Sequence, residues 1–247
     1  MRKIFSFVLS IFLFVLLWEV LSIFVGNQYF PGPFIVFRAL IDFISKGIIF
    51  PHILSSLKRV ITGFFASLIL AFIIGYITGT FQFLKSLLSP IVEILRPIPP
   101  IAWIPLAIVW FGIGDFSASF IIFIAAFFPI YTNVHFGVSS IPRIYKRISK
   151  NYRLDYYKQF FHIIFPFTLP YLFTGTRVGI GLSWMAVIGS EMIASSRGLG
   201  YFIEVNRMLL RIDYMIATMI IIGIIGFCFY MIFKILDLKL NYWKDKE

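Results

Sequence analysis

Six long apolar stretches constrain the fold of this chain more than any other feature of its sequence. They cover residues 4–25, 57–80, 90–113, 116–138, 171–194 and 214–236. A run of about 20 predominantly apolar residues makes a helix long enough to cross a bilayer, and a helix satisfies its own backbone hydrogen bonds there. Only 13% of the 247 residues are charged, against about 25% in a typical soluble domain. The sequence therefore predicts an all-α polytopic membrane protein with six transmembrane helices in a single domain, residues 1–247.

The N-terminal stretch shares one feature with secretory signal peptides, because Arg2 and Lys3 precede its apolar run. That run is longer than the apolar core of a signal peptide, and no cleavage site of small residues follows it. We therefore expect the segment to be retained as the first transmembrane helix, with the N-terminus in the cytoplasm.

The segment between the fourth and fifth stretches, residues 139–170, is the one long segment too polar for a bilayer. It holds one acid, Asp155, and six basic residues: Arg143, Lys146, Arg147, Lys150, Arg153 and Lys158. Positive charge concentrates in the cytoplasmic loops of membrane proteins. With this loop inside, both termini are cytoplasmic, and 13 basic residues fall in inner segments against 7 in outer segments. Orientation in the membrane thus accounts for the net charge of +11, and no nucleic-acid partner is predicted.

Two basic residues weaken this charge bias. Lys58 and Arg59 lie at the outer end of the second stretch. We expect both side chains to extend to the lipid headgroups, because long basic side chains can bury their stems and keep the charge in water.

The basic loop also carries the pattern of a short helix. Asp155 is a suitable N-cap for a helix from Tyr156 to about Phe165, and Pro166 is expected to end it because proline lacks an N–H group. The apolar side chains predicted to share one face are Phe160, Phe161, Ile164 and Phe165. The loop is either a docking element held outside the membrane or an ordinary basic loop lying on anionic lipid. Charge and periodicity alone favour the lipid interpretation.

The third stretch is unusual in its prolines, with Pro97, Pro99 and Pro100 close together. Each proline removes a helical hydrogen bond, and a broken helix at membrane depth is tolerated only where it is buried in protein or lines a cavity. Transporters place such breaks near their substrate sites. The pattern fits a translocation pathway and, equally, a proline-bent entry to a structural helix.

The sequence lacks the motifs of an enzyme. It contains no Gly-Lys dipeptide and so no P-loop, and it has no HExxH motif and no G-x-S-x-G turn. Its three histidines are far apart, and a single cysteine, Cys228, excludes an internal disulfide and a cysteine-zinc cluster. We therefore predict no catalytic residue, no metal ligand and no cofactor, and an intramembrane hydrolase is poorly supported.

Four segments together resemble one known family. The end of the loop, HIIFPFTLP at His162–Pro170, is similar to the end of the EAA loop in permease subunits of bacterial ABC importers. Three further segments resemble the nitrate/sulfonate/taurine branch of the binding-protein-dependent transport permease family: LRPIPPIAWIPLAIVWFGIGD (Leu95–Asp115), FFPIYTNVHFGV (Phe127–Val138) and GLSWMAVIGSEMIASSRGLGYFI (Gly181–Ile203). Together these segments are specific, and the resemblance extends over nearly the whole chain.

The resemblance implies a permease subunit of an ABC importer in the cell inner membrane, where it would form the pathway for nitrate, taurine, another sulfonate or a similar small solute. A second permease subunit, expected to be a copy of this chain, a cytoplasmic ATPase dimer and an extracytoplasmic substrate-binding protein would complete the transporter in the lipid bilayer. ATP hydrolysis would take place on the ATPase chain. The coupling residues that the resemblance implies are Arg147, Arg153, Asp155, Tyr156, Phe160, Phe161, Ile164, Pro166 and Pro170. The implied pathway residues are Pro97, Pro99, Pro100, Trp103, Trp184 and Glu191.

A non-ABC secondary transporter, with its own coupling-ion site, is the alternative from another class. Paired intramembrane acids and inverted repeats would favour it, and the sequence shows neither. The ABC permease is therefore the preferred interpretation.

The loop departs from the family pattern at one place. The family has Glu-Ala-Ala and, four residues later, Gly, and this chain has at those positions Arg147, Ile148, Ser149 and Arg153. Glycine permits a left-handed turn between two short helices, and arginine in that conformation costs about 1–2 kcal/mol. We expect either a rebuilt turn or a changed partner surface.

Overall fold

The computed structural model of the chain describes the backbone of residues 2–240, and the side chains of that range except those of residues 2–4, 7, 146, 150 and 237–240. The described helices are α1 (Arg2–Val25), α2 (Pro33–Ser45), α3 (Phe50–Thr80), α4 (Gln82–Leu95), α5 (Ile104–Phe111), α6 (Asp115–Ser139), α7 (Arg143–Asn151), α8 (Tyr156–Gln159), α9 (Phe165–Ala194), α10 (Leu199–Met208) and α11 (Ile212–Leu240). A 3₁₀ turn, Pro100–Trp103, precedes α5, and a π turn, Phe160–Ile164, joins α8 to α9. The C-terminal tail, residues 241–247, which we expect to be cytoplasmic, lies outside the described residues.

Five helical runs in the described range are long and apolar enough to cross a membrane. They are α1, α3, α6, α11 and the continuous run Tyr156–Ala194, which contains α8 and α9. A sixth candidate consists of α4 together with Pro100–Phe111, and it bends by 93° at its break. Counted as one span, this bent pair gives six spans, so the predicted all-helical membrane fold is confirmed.

The third predicted span differs in detail from the structure. The helix before the break, α4, begins at Gln82 and not near residue 90, and it ends at Leu95. Pro97, Pro99 and Pro100 follow, and the helix cannot continue through them because proline has no N–H group and a fixed φ. The break therefore lies where the prolines predict it, while the helix before it starts earlier than expected.

The centre of the bundle is formed by α3, α6 and α9, which approach one another closely at glycines. A Cβ atom at Gly75 of α3 would lie 3.0 Å from Val134 of α6, and one at Gly79 would lie 2.7 Å from Val138. Small residues allow helices to pack at such short distances in membranes. The outermost long helix, α1, is anchored by Trp18, whose indole Nε1 donates to the Pro31 carbonyl at 3.1 Å.

A peripheral contact joins α2 to the start of α11. The ring of Phe43 packs edge-on against Tyr214, with centroids 5.5 Å apart. The Tyr214 hydroxyl donates to Asp42, and Lys46 Nζ lies 2.7 Å from the same carboxylate. The hydrogen bonds from Lys46 and Tyr214 hold the pKa of the Asp42 carboxyl below its usual value.

The long helices run between two ends of the bundle. We call the end that carries residues 139–170 the loop end, and the end at which Arg59 pairs with Glu191 and Asp115 the latch end. At the loop end, α3 finishes beside α8, and Tyr76 contacts Tyr156. At the latch end, α3 begins beside the loop between α9 and α10, and the Gly198 N–H donates to His52 Nδ1 at 3.1 Å. The two ends are therefore built from opposite termini of the same helices.

The prediction that Pro166 ends the loop helix is wrong. The helix continues through the π turn into α9, and Pro166 lies in the first turn of α9. The Phe165 N–H bonds to the Phe160 carbonyl, five residues back. This wider bonding pattern of a π turn accommodates a proline that would interrupt a regular α-helix.

Candidate functional site

The loop end contains α7, α8 and a tight turn between them. Arg153 has a φ of +49°, in the left-handed region. The Leu154 N–H donates to the Ser149 carbonyl at 2.9 Å and closes the turn. Asp155 then accepts from the Lys158 N–H at 2.9 Å, which confirms the predicted N-cap. The turn is therefore not rebuilt, since the structure has the left-handed geometry with arginine in place of glycine; a changed partner surface stays a prediction.

The predicted aromatic face of the loop helix is divided between two surroundings. Ile164 is buried, Phe160 packs on Tyr76 of α3 with ring centroids 5.2 Å apart, and Phe165 also faces α3. Phe161, in contrast, is 47% exposed. The expectation of one shared face is wrong, because Phe160, Ile164 and Phe165 pack toward the bundle whereas Phe161 remains exposed.

A hydrogen bond between two tyrosines joins the loop to the bundle. The hydroxyl oxygens of Tyr76 and Tyr156 lie 2.9 Å apart, and Phe160 meets the Tyr76 ring at a right angle. One residue of α3 thus makes a polar and an aromatic contact with the loop helix. The remaining coupling candidates are an exposed residue of α7 and two prolines in the first turns of α9: Arg147, Pro166 and Pro170.

At the latch end, ion pairs around a buried arginine tie three helices together. Arg59 of α3 is 3% exposed; its Nη1 lies 2.7 Å from Glu191 Oε1 on α9, and its Nε lies 2.8 Å from Asp115 Oδ1 on α6. Glu191 is 0% exposed, whereas the Asp115 side chain is 57% exposed. A buried charge is costly unless it is paired and hydrogen-bonded. The guanidinium group of Arg59 forms charged hydrogen bonds to both carboxylates. We call Arg59, Glu191 and Asp115 the latch.

Neutral donors complete the coordination of Glu191. Its Oε2 accepts from Ser56 Oγ at 2.8 Å and from the Gly200 N–H at 3.0 Å. Ser56 Oγ in turn accepts from the Leu199 N–H at 2.9 Å. The latch therefore also fixes the loop that leads from α9 into α10.

Two glycines make room for the Glu191 carboxylate. Gly198 has a φ of +126°, and a Cβ atom there would lie 2.3 Å from that carboxyl group. A Cβ atom at Gly200 would lie 2.2 Å from the Ile188 carbonyl oxygen. Only glycine fits such approaches of backbone to backbone or carboxylate, which explains the Gly-Leu-Gly segment.

Reasoning from the sequence missed the latch. Lys58 is exposed as expected, but the expectation that Arg59 extends to the headgroups is wrong, because carboxylates from two other helices surround its guanidinium. A usable signal was present, since charged residues inside transmembrane helices are rare and usually paired. Arg59 and Glu191 have opposite charges, and both lie near the predicted outer ends of their helices.

The six predicted pathway residues have three different surroundings. Trp184 is buried, and its indole N–H donates to the Ile222 carbonyl of α11 at 3.0 Å. Glu191 belongs to the latch. The other four lie at the break between α4 and α5, where they are exposed or half-buried: Pro97, Pro99, Pro100 and Trp103. Which of the six line a pathway stays a prediction.

The loop end has an exposed surface that can contact another molecule, and the latch end has a buried ion pair. Within the described residues, no group of three or more histidine, cysteine, aspartate or glutamate side chains is placed to hold a metal ion. The arrangement can hold helices together at the latch and can present the loop to another molecule.

Comparison with known families identifies the class of this chain. Residues 68–242 match the family described as binding-protein-dependent transport system inner membrane component. The chain belongs to this family. It is therefore a multi-pass inner-membrane component of a transport system and not an enzyme, and the match does not favour the secondary transporter.

Three relatives confirm the predicted branch of ABC permeases. The nitrate import permease protein NrtB of Synechocystis sp. is 39% identical over 71% of this chain and 64% of its own length. The taurine transport system permease protein TauC of Escherichia coli is 31% identical over 78% of this chain and 70% of its own length. The bicarbonate transport system permease protein CmpB of Synechococcus elongatus is 34% identical over 86% of this chain and 81% of its own length.

A solved structure shares the fold. The similarity is to a chain of the MetNI methionine ABC transporter, crystallised in inward facing conformations, with a TM-score of 0.59 and 19% sequence identity. The match covers 74% of this chain and 94% of that chain. The helical architecture described above is therefore that of an ABC transporter permease.

Proposed function

We propose that this permease imports a small oxyanion, or an organic solute that carries one, delivered by an external binding protein. One observation carries the proposal: three relatives, similar over more than two thirds of this chain, are named for nitrate, taurine and bicarbonate transport. Each of these solutes has a small group in which negative charge is spread over oxygen atoms. A translocation pathway that accepts such groups is the simplest property that would account for all three solutes.

In the proposed assembly, two copies of the chain enclose the pathway, and the loop end faces the cytoplasm. The concentration of basic residues in the loop supports this orientation. The loop docks on an ATPase dimer, both termini are cytoplasmic, and the latch end faces the binding protein. The pathway runs beside the broken helix between α4 and α5, because irregular backbone at membrane depth occurs where it lines a cavity or is buried in protein.

The orientation is tested by labelling single cysteines with an impermeant reagent in intact cells. In a Cys228→Ser background, we expect Lys58→Cys at the latch end to react and Lys150→Cys in the loop to react only after the cells are opened. Labelling of Lys150→Cys in intact cells contradicts the proposed orientation.

Movement of the docked loop would reach the bundle through Tyr76. Tyr156 bonds to its hydroxyl and Phe160 packs on its ring, so α8 and α3 are expected to move together. Tyr156→Phe removes the hydrogen bond and keeps the ring. We expect little change in stability, about 0.5–1.5 kcal/mol, but less solute transported per ATP hydrolysed. Tyr29→Phe, the same change at an exposed tyrosine between α1 and α2, is the control and should leave that ratio unaltered.

The substrate class is tested by uptake into proteoliposomes that hold the permease, its ATPase and its binding protein. Nitrate, taurine and bicarbonate are offered in turn, with an uncharged sugar as the control. The proposal predicts ATP-dependent uptake of at least one of the three and none of the sugar. Uptake of the sugar, with none of the three transported, contradicts it.

A further inference from the structure

We infer that the ATPase partner presents acidic side chains around an apolar pocket, and that Arg153 and Arg147 of the permease select this partner. The inference rests on the proposed function, because it specifies the chemistry of the surface that the loop would meet. Three observations carry it: exposed cations without acids, a strained arginine and exposed aromatic rings.

The loop presents positive charge that no acid of its own compensates. Arg143, Arg147 and Arg153 are exposed, and among the described residues none of the three forms an ion pair or a side-chain hydrogen bond. The one acid of the loop, Asp155, is engaged as the N-cap of α8 through the Lys158 N–H. Arg143 and Arg147 are four residues apart on α7 and so share a face. Their mutual repulsion is relieved by carboxylates on another chain.

Arg153 is held in a conformation from which the fold gains nothing. Its φ of +49° is left-handed, a region that is unfavourable for residues other than glycine, asparagine and aspartate. The side chain is exposed and has no hydrogen bond or ion pair among the described residues. Glycine would make the same turn without strain. Because strain of this kind persists mainly at functional sites, the role of the arginine lies outside the chain.

Exposed aromatic rings lie in the same segment as these cations. Tyr152 and Tyr157 are 77% and 71% exposed, and Phe161 packs against Tyr157 with ring centroids 4.6 Å apart. Tyrosine and arginine are enriched among the residues that dominate protein–protein binding, and interfaces combine an apolar centre with a polar rim. A surface with an apolar pocket and acidic rim is complementary to this one in shape and charge.

Anionic lipid is the other possible occupant, since headgroups also attract basic loops. That attraction depends on the number of charges near the membrane and not on the conformation of one residue. It gives no reason to keep an arginine at a left-handed position. The geometry of Arg153 therefore favours a protein partner.

The test measures binding of the permease in nanodiscs to the ATPase subunit isolated with the wild-type chain. Arg153→Asn keeps the left-handed turn, which asparagine tolerates, and removes the charge. We expect Arg153→Asn and Arg147→Gln each to weaken binding about tenfold, with Arg153→Asn at least as thermally stable as the wild type. Arg153→Lys should retain most of the affinity. Arg207→Gln, at the latch end, is the control and should bind as the wild type does.

Salt concentration and lipid composition separate the outcomes. We expect wild-type binding to weaken with salt and the two neutral variants to respond less, because screening acts on the charges that they lack. If the variants bind the ATPase as tightly as the wild type, the inference is overturned and the proposed function stands. If their only defect is weaker association with vesicles of anionic lipid, lipid is the occupant and the inference is overturned. If no ATPase is isolated with or binds to the wild type, the inference and the proposed function both fail.

Discussion

The two ends of the bundle are held together by different interactions. At the latch end, a buried arginine and a buried glutamate pair with each other, and glycines allow the backbone to close around them. At the loop end, aromatic rings pack on α3, while cations and further rings remain exposed. The latch residues pair with one another within the chain, whereas Arg143, Arg147 and Arg153 of the loop form no ion pair among the described residues. We propose that the latch end keeps the helices together and that the loop end binds another subunit.

The largest expected effect is at the latch. Arg59→Ala leaves Glu191 buried without its counter-ion, and breaking one partner of a buried pair typically costs about 3–5 kcal/mol. We expect a sharp loss of thermal stability in detergent, followed by intrinsic fluorescence, and a similar loss for Glu191→Ala. Lys58→Ala, the exposed neighbour, should be nearly neutral. Equal stability of Arg59→Ala and Lys58→Ala would show that the latch does not hold this end.

The next largest effect tests the close backbone approach at the start of α10. Gly200→Ala brings a methyl group against the Ile188 carbonyl, and forced overpacking costs about 1–3 kcal/mol. Gly181→Ala on α9, where no atom lies within 4 Å of the added carbon, is the matched control. We expect a lower unfolding temperature for Gly200→Ala alone. If both variants unfold as the wild type does, the close approach at Gly200 is unimportant.

At the loop end, two adjacent phenylalanines should behave differently. Phe160→Asp removes a ring that packs on Tyr76, where burial of an aromatic side chain contributes about 1.5–3 kcal/mol, so both stability and ATPase coupling should fall. Phe161→Asp changes a more exposed ring, and it should impair ATPase binding while leaving the unfolding temperature nearly unchanged. The measurements are thermal unfolding and co-purification of the ATPase. A stability loss for Phe161→Asp as large as that for Phe160→Asp would contradict the assignment of Phe160 to the packed side of the loop helix and of Phe161 to its exposed side.

The smallest effect is a pH dependence at the α2–α11 contact, on the side of the latch. The pKa of Asp42 is lower in the folded chain than in the unfolded one, so its contribution to stability is present above the unfolded pKa and is lost as the pH falls through the folded value. We expect the wild type to lose stability below about pH 4 more steeply than Asp42→Asn. The measurement is the unfolding temperature of both proteins as a function of pH. An equal decrease for the wild type and Asp42→Asn at low pH would contradict the prediction.

The sequence predicted the architecture because long apolar runs, proline breaks and loop charge are local signals. The N-cap at Asp155 and the break at Pro97–Pro100 follow from side-chain chemistry within a few residues. The exposed position of Lys58 was also predicted correctly, since an unpaired ammonium group favours water.

The latch and the packing of the loop helix on α3 could not be predicted, because they depend on contacts between residues that are far apart in the sequence. Arg59 and Glu191 are separated by 132 positions, and nothing local shows that their helices bring them together. The π turn before Pro166 was missed because proline in a helical pattern normally predicts an end. The division of Phe160 from Phe161 reflects the packing of Phe160 on Tyr76 of α3, which a helical periodicity does not show.

The central claim, that the loop end couples this permease to an ATPase, is tested most directly in reconstituted liposomes. The wild-type chain is purified with its associated ATPase, and solute uptake is driven either by ATP or by an ion gradient alone. We predict that the ATPase co-purifies, that ATP drives uptake, and that Phe161→Asp abolishes both. If the chain purifies without an ATPase and transports solute on an ion gradient alone, the account is contradicted.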